Sequence, residues 1–239
     1  MADQSSTAPR IVVEVDDLLR CALRDSFLAN VPADAVAQLI EGAVRVEAPA
    51  RARICGPDGE PSVRLVALGL LRIVRVVPDG RTITQRYLRR GEIAGIGTAF
   101  GAIAGRPTGR CDTLVHSVFY EFRPETWRSV AEKDARVAVA LLVELGRAAE
   151  VSIGLMADRA LASMRQRVVS QLLDAADQDE GSDPIAPVTQ QQLAEGIGSA
   201  REVVARVLHA LREERLVATR VGGVVLLDPA RLRSELTVP

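Results

Sequence analysis

This 239-residue sequence predicts an α+β fold: a β-roll first, one long helix next, and a helix-turn-helix carrying a β-hairpin last. Three observations predict it. Residues 44–122 hold short β-prone runs, among them VRLVAL, LRIVRVV, TITQRYL and SVFYEF, separated by Gly, Pro and Asp clusters. Residues 134–176 contain no proline and are rich in Ala, Leu, Val, Arg and Glu, which favours helix almost throughout. Residues 189–235 combine helix-capping residues with glycine turns at short intervals.

In chain order, Met1 to Pro9 is small and polar, without the basic and apolar stretches of a secretory start. Residues 1–16 are therefore expected to be a loose tail, and the protein cytoplasmic. Short helices are expected at Asp17 to Leu23 and at Ala33 to Glu41, the second opened by Pro32. The β-prone runs then close residues 17–133 into an all-β roll or barrel.

On the long helix, Val137, Leu141, Leu145, Ala148, Val151 and Leu155 recur at three- and four-residue steps. Such a seam suits either a partner helix in a two-fold dimer or the chain's own β-region. We expect the dimer, with residues 134–162 as its helix. Ser163 followed by Gln166 is a capping box inside the helical run, so the helix restarts there and Ala162-Ser163 is a hinge candidate. Asp177 to Pro187 reads as a loop leading to the last domain, residues 163–239.

Thr189 and Gln192 form another capping box, starting a short helix that stops near Gly196-Ile197-Gly198. Ser199 and Glu202 look like a third, opening a helix through SAREVVARVLHAL. On that helix Val203, Val204, Val207, Leu208 and Leu211 face one way, and Arg201, Glu202 and Arg206 fan over the opposite sector. Two β-prone runs around Gly222-Gly223 make a hairpin, and Asp228-Pro229 starts a final short helix. This order is a helix-turn-helix with a wing. An arginine fork matches the two acceptors of guanine and a carboxylate accepts from cytosine, so Arg201, Glu202 and Arg206 suit base reading in the major groove of double-stranded DNA. Thr189, Gln190, Ser199 and His209 complete the DNA-facing set, His209 toward a phosphate or water.

Composition sets bounds on this reading. The 48% apolar fraction indicates a folded chain, and no apolar run approaches the roughly 20 residues that span a membrane. A net charge of -1 does not announce a nucleic-acid binder, but only the local field has to be positive: residues 201–220 hold five Arg against three Glu. Cys21, Cys55 and Cys111 lack the spacing of a zinc or iron–sulfur site, and His116 and His209 are distant from each other, so no metal is expected. No nucleophile elbow, P-loop, metal triad or paired-carboxylate motif appears, which excludes a recognisable enzyme.

The stretch VTQQQLAEGIGSAREVVARVLHALREERLV with its wing resembles the CRP/FNR family of bacterial transcription regulators. The likeness extends upstream through Gly69, the Pro78-Asp79-Gly80 turn and Tyr87 to Glu92 to the long helix, over roughly residues 20–235. It implies a jelly-roll sensor domain like those that bind cyclic nucleotides, a dimerisation helix and a winged helix-turn-helix. It further implies base contacts by Arg201, Glu202 and Arg206, a palindromic operator with a G-T-G-A-like core, and RNA polymerase as a protein partner.

The sensor departs from the family pattern. Aligning Gly95 with the cassette glycine puts Ile96 where the ribose-binding carboxylate belongs and Cys111 where the phosphate-binding serine belongs, with Arg110 retained. Ser152 matches one base-contacting hydroxyl and Ile153 replaces the other. A buried ribose hydroxyl facing isoleucine loses about 1–3 kcal/mol, so cyclic AMP is expected to bind weakly at best. Three alternatives stay open: another phosphate-bearing effector held by Arg110 and the glycine-rich segment Gly91 to Gly109, degenerate cyclic-nucleotide binding, and a purely structural pocket. Cys111 beside Arg110 is the cysteine whose thiolate would be favoured, as a redox sensor requires. The competing functional class is a small-molecule or thiol-redox sensing module acting mainly through protein contacts.

Overall fold

The computed structural model describes residues 10–12, 15–55, 61–76, 82–101, 109–176 and 183–236. The chain divides into two compact units, one of residues 1–73 and 88–152, the other of residues 74–87 and 153–239.

The first unit begins with β1 (Arg10–Val12), followed by α1 (Asp17–Asp25), a 3-10 turn at Phe27–Asn30 and α2 (Ala33–Leu39). Strand β1 lies inside the segment expected to be a loose tail, and pairs antiparallel with β2 (Val44–Ala48). The strands β3 (Arg53–Cys55), β4 (Val63–Leu68), β5 (Leu71–Val76), β6 (Thr82–Leu88) and β7 (Ile93–Ala94) come next. A short α3 (Ile96–Ala99), then β8 (Gly109–Thr113), β9 (Ser117–Phe122) and α4 (Pro124–Lys133) follow. Two sheets result, ordered β1-β2-β9-β4-β7 and β3-β8-β5-β6. The expected roll is present.

Strand β9 is buried at every position, and β4 at four of its six, so neither shows the alternation of a half-exposed strand. The reason is burial on both faces. Val63, Leu65, Tyr120 and Phe122 join a core with Leu19, Leu39 and Trp127 from α1, α2 and α4. Val66 and Phe119 join a second core with Val46, Leu71, Leu88 and Cys111. Alternate residues thus feed two different cores.

The long helix α5 (Ala135–Leu161) corrects the predicted seam. Val137 and Leu141 are buried in the core of the first unit, with Leu145 packed against it. The early part of that seam therefore serves the roll, because α5 lies on the same core as α1, α2 and α4. A different stripe is left open. Val139, Leu142 and Ile153 are 58%, 68% and 61% exposed, and with exposed Gly146 and Ala149 they repeat at steps of three, four, three and four. Val143, 68% exposed, lies beside it. That spacing is an a/d heptad seam. The Leu155 side chain lies outside the described residues.

Helix α6 (Met164–Ala175) restarts after a break at Ala162-Ser163, with the Ser163–Gln166 capping box formed. Strand β10 (Ile185–Ala186) falls within the predicted loop and pairs with a later strand. Then come α7 (Gln190–Ile197), α8 (Arg201–Glu213), the hairpin of β11 (Val217–Arg220) and β12 (Gly223–Leu226), and α9 (Pro229–Ser234) capped by Asp228. The sheet order β10-β12-β11 makes the wing three-stranded. Buried Leu193, Ile197, Val204, Leu208, Leu211, Val225 and Leu232 supply its interior.

Trp127 is fully buried against Phe122, with ring centroids 5.8 Å apart. Trp127→Ala is expected to destabilise the first unit by about 3–5 kcal/mol, read as a lower denaturation midpoint, while the melting of the second unit stays unchanged.

Candidate nucleic-acid interface

The reading surface is set by how α7 ends. Gly198 adopts a left-handed conformation with φ of +67, its N–H donating to Glu195 O, and the Ser199 N–H donates to Ala194 O at 2.9 Å. These bonds close α7 in a Schellman motif. Ser199 is consumed by that closure, so Ala200 becomes the N-cap of α8, with no side-chain cap bond. The predicted Ser199–Glu202 capping box does not form. Thr189 does cap α7: its hydroxyl accepts from Gln192 N–H, and Gln192 Oε1 accepts from Thr189 N–H at 2.9 Å.

Helix α8 buries Val204, Leu208 and Leu211 and half-buries Val203 and Val207, leaving Arg201, Glu202, Arg206 and His209 exposed. Arg201 and Glu202 lie in the first turn, where unsatisfied N–H groups favour the glutamate. Thr189 and Gln190 are half-exposed at the start of α7, and Ser199 is half-exposed at the turn. Arg220 and Val221 are exposed at the wing tip. Arg212 donates to Thr219 Oγ1 at 3.2 Å, joining α8 to the wing.

The other end of α8 is held by a residue that pattern reading missed. Arg165 in α6 donates to both oxygens of Glu214 at 2.7 and 2.8 Å and to both oxygens of Glu235 at 2.8 and 2.7 Å. Gln166 Nε2 adds a bond to Glu235 O. The bonds from Glu235 and Glu214 raise the Arg165 guanidinium above its ordinary value, and the Arg165 bond holds Glu214 below the usual carboxylate range. Glu214 and Glu235 are thereby paired at the end of α8 remote from Arg201, Glu202 and Arg206.

The predicted effector residues do not assemble a polar site. Gly95, with φ of +84, is the N-cap of α3, and Ile96 points into the helix-covered core. Cys111 is buried in the other core, between Val66, Leu71 and Phe119, which removes it from solution and from the role of an exposed thiolate. Arg110 Nε donates to Asp112 Oδ2 at 3.0 Å, an oxygen that also accepts from buried Arg72 at 3.1 Å. Ser152 Oγ donates to Ala148 O of its own helix. These residues do not fit a cyclic nucleotide: the ribose position is apolar, the serine position is a core thiol, and Arg110 has a carboxylate. Residues 102–108 of the glycine-rich segment, and the Cys55 side chain, lie outside the described residues. Cys21 accepts from Arg24 Nη2 at 3.1 Å. Among the described residues no three His, Cys, Asp or Glu gather to hold a metal, and no helix is long and apolar enough to cross a membrane.

A β-roll, a long helix and a winged helix-turn-helix with an exposed Arg-Glu-x-x-x-Arg set define a DNA-binding transcription regulator, not an enzyme. Residues 166–235 match the Crp-like helix-turn-helix domain. The chain is 31% identical over 171 residues to the transcriptional regulator LdrP of Thermus thermophilus, covering 70% of this chain and 83% of that protein. It is 29% identical over 187 residues to the cyclic AMP receptor protein of the same organism, covering 74% and 84%. A solved CRP-family transcriptional regulator, also from Thermus thermophilus, shares the fold, with a TM-score of 0.64 at 24% identity over 80% of this chain and 96% of that one. The chain belongs to the CRP/FNR family of transcription regulators.

The Arg165 clamp makes a pH-dependent prediction. Because Glu214 is held below its ordinary value of about 4.5, its pairing stabilises the second unit above that pH and the contribution is lost as acid protonates it. Arg165→Ala is expected to lower the melting temperature of the second unit at neutral pH. The gap between the two proteins should narrow as pH falls below about 4.5; a gap independent of pH would contradict the assignment.

Proposed function

We propose that the protein binds a two-fold symmetric DNA site as a homodimer, each α8 entering the major groove of one half-site. Arg201 and Arg206 contact guanines and Glu202 accepts from a cytosine, with half-site centres about one helical turn apart. Thr189, Gln190, Ser199 and His209 position the unit along the backbone. The observation that carries this reading is the exposed Arg201, Glu202 and Arg206 at the first two turns of α8, held outward by the Gly198 turn.

The dimer contact in this reading is the open stripe of α5. A second copy of the chain fits it because the a/d repeat of Val139, Leu142, Gly146, Ala149 and Ile153 is self-complementary about a two-fold axis, and the small central residues admit close backbone approach. The break at Ala162-Ser163 then serves as the hinge between that helix and the reading unit, and RNA polymerase is the protein partner of the bound regulator. DNA as the target places it in the cytoplasm.

Two outcomes test the reading. In gel shifts over base-substituted operators, Arg201→Ala or Arg206→Ala should cost about 1–3 kcal/mol, with discrimination lost at one base pair per half-site; uniform weakening over all sequences would refute direct readout. Leu142→Glu should convert a dimer to a monomer by sedimentation and weaken palindrome binding at least tenfold, whereas a dimer that persists places the contact elsewhere.

A further inference from the structure

Two of the three cysteines meet in one ladder of the first unit. Strands β3 and β8 pair antiparallel, with Arg53 opposite Asp112 and Cys55 directly opposite Cys111. The spacing of the two cysteines in sequence carries no motif, so only the strand register brings them together. Residues directly opposite in an antiparallel pair have Cα atoms about 4.5–5.5 Å apart and share one face of the sheet. A disulfide spans Cα separations of about 4.4–6.8 Å. Backbone register alone therefore puts this pair within bonding range.

The pair also lies where the ladder can adjust. The register shifts between Arg53 and Cys55, which makes Ile54 the extra residue of a bulge, and a bulge re-aims the side chains beside it. Strand β3 is three residues long and outermost in the order β3-β8-β5-β6. Only this short edge strand has to move for a bond to close, while Cys111, 1% exposed among Val66, Leu71 and Phe119, stays packed. Burial also divides the work between the two sulfurs. A thiol in apolar surroundings keeps its proton and is shielded from a dissolved oxidant. The first attack therefore falls to Cys55, at the end of the edge strand.

We propose that Cys55 and Cys111 are a reversible dithiol–disulfide pair that responds to peroxide and, when oxidised, fastens β3 to β8. The Cys55 thiolate attacks one oxygen of hydrogen peroxide; the O–O bond breaks, the other oxygen leaves as hydroxide and takes up the thiol's proton as water, and Cys55 becomes a sulfenic acid. The Cys111 sulfur then attacks the Cys55 sulfur, the S–S bond forms, and the departing hydroxide takes the Cys111 proton as a second water. Two thiols lose two electrons and two protons, and one peroxide becomes two waters. A thiol reductant reverses the bond by exchange, so in a reducing compartment it is transient, as a sensor requires. The inference is independent of how the second unit reads DNA.

The test uses the full chain, first reduced and then exposed to a small excess of hydrogen peroxide. Remaining thiols are alkylated under denaturation and the digest is mapped by mass spectrometry. The expected result is a Cys55–Cys111 linkage in most chains, with Cys21 still alkylated, and recovery of all three thiols after dithiothreitol. In Cys111→Ala, Cys55 has no resolving partner, and its labelling by dimedone, which traps sulfenic acid, is expected to rise at least tenfold over wild type. Amide hydrogen exchange in residues 53–55 should slow at least tenfold on oxidation of the wild type. Absence of the Cys55–Cys111 linkage, or linkage of Cys21 in place of either cysteine, overturns the pairing, and this map on the wild type decides it even where Cys111→Ala does not fold. Equal dimedone labelling with and without Cys111 overturns its resolving role, and unchanged exchange overturns the fastening of β3.

Discussion

Everything this protein offers to DNA depends on one backbone conformation, the left-handed Gly198 at the end of α7. That residue lets Gly198 and Ser199 close α7 through their N–H groups and turns the chain so that Ala200 can begin α8. A side chain there would meet no neighbour, so the constraint is torsional alone, worth about 1–2 kcal/mol for an L-residue. The turn sets which residues of α8 face inward. With Val204, Leu208 and Leu211 committed to the interior, Arg201, Glu202 and Arg206 have only solvent, or a groove, to face. The Arg165 clamp on Glu214 and Glu235 acts on the same helix from its far end. One end of α8 is thus exposed, and the other is pinned by ion pairs.

The long helix divides its apolar residues between two duties. Val137 and Leu141 belong to the core of the first unit, and the stripe from Val139 to Ile153 belongs to no core of the described chain. A single amphipathic face would serve one partner. In the dimer proposed above, the partner along the other face is the equivalent helix.

Much of the reading unit was legible in the sequence because its signals are local. The Thr189–Gln192 and Ser163–Gln166 capping boxes, the Gly198 turn, the wing around Gly222-Gly223 and the Asp228 cap each need only a few neighbouring residues, and each forms. Ser199 misled because it belongs to the closure of α7: its N–H bonds Ala194 O, and α8 begins one residue later than the pattern implies, with Ala200 at the N-cap. The seam on α5 misled because four-residue steps fit either a partner helix or the chain's own core, and only the packed structure distinguishes them. β4 and β9 lack alternation because they feed two cores. Arg165, Asp112 and Gly196 act through residues 40 or more positions away in sequence, such as Glu214, Arg72 and Thr84, which no local pattern reveals. Of these, only Gly196 carried a visible sign, a second glycine in the last turn of α7 beside the Gly198 cap. Of the residues that the resemblance put in the effector pocket, Ile96 and Cys111 are packing residues of two separate cores, and Arg110 is already matched by a carboxylate.

The most direct test of the account is the sequence of the DNA that the full-length protein selects from a random pool. The account predicts a two-fold symmetric motif whose half-site centres lie about 34–36 Å apart along the duplex, with a guanine-rich core in each half. Enrichment of a single asymmetric half-site, or no enrichment above the pool, would contradict it.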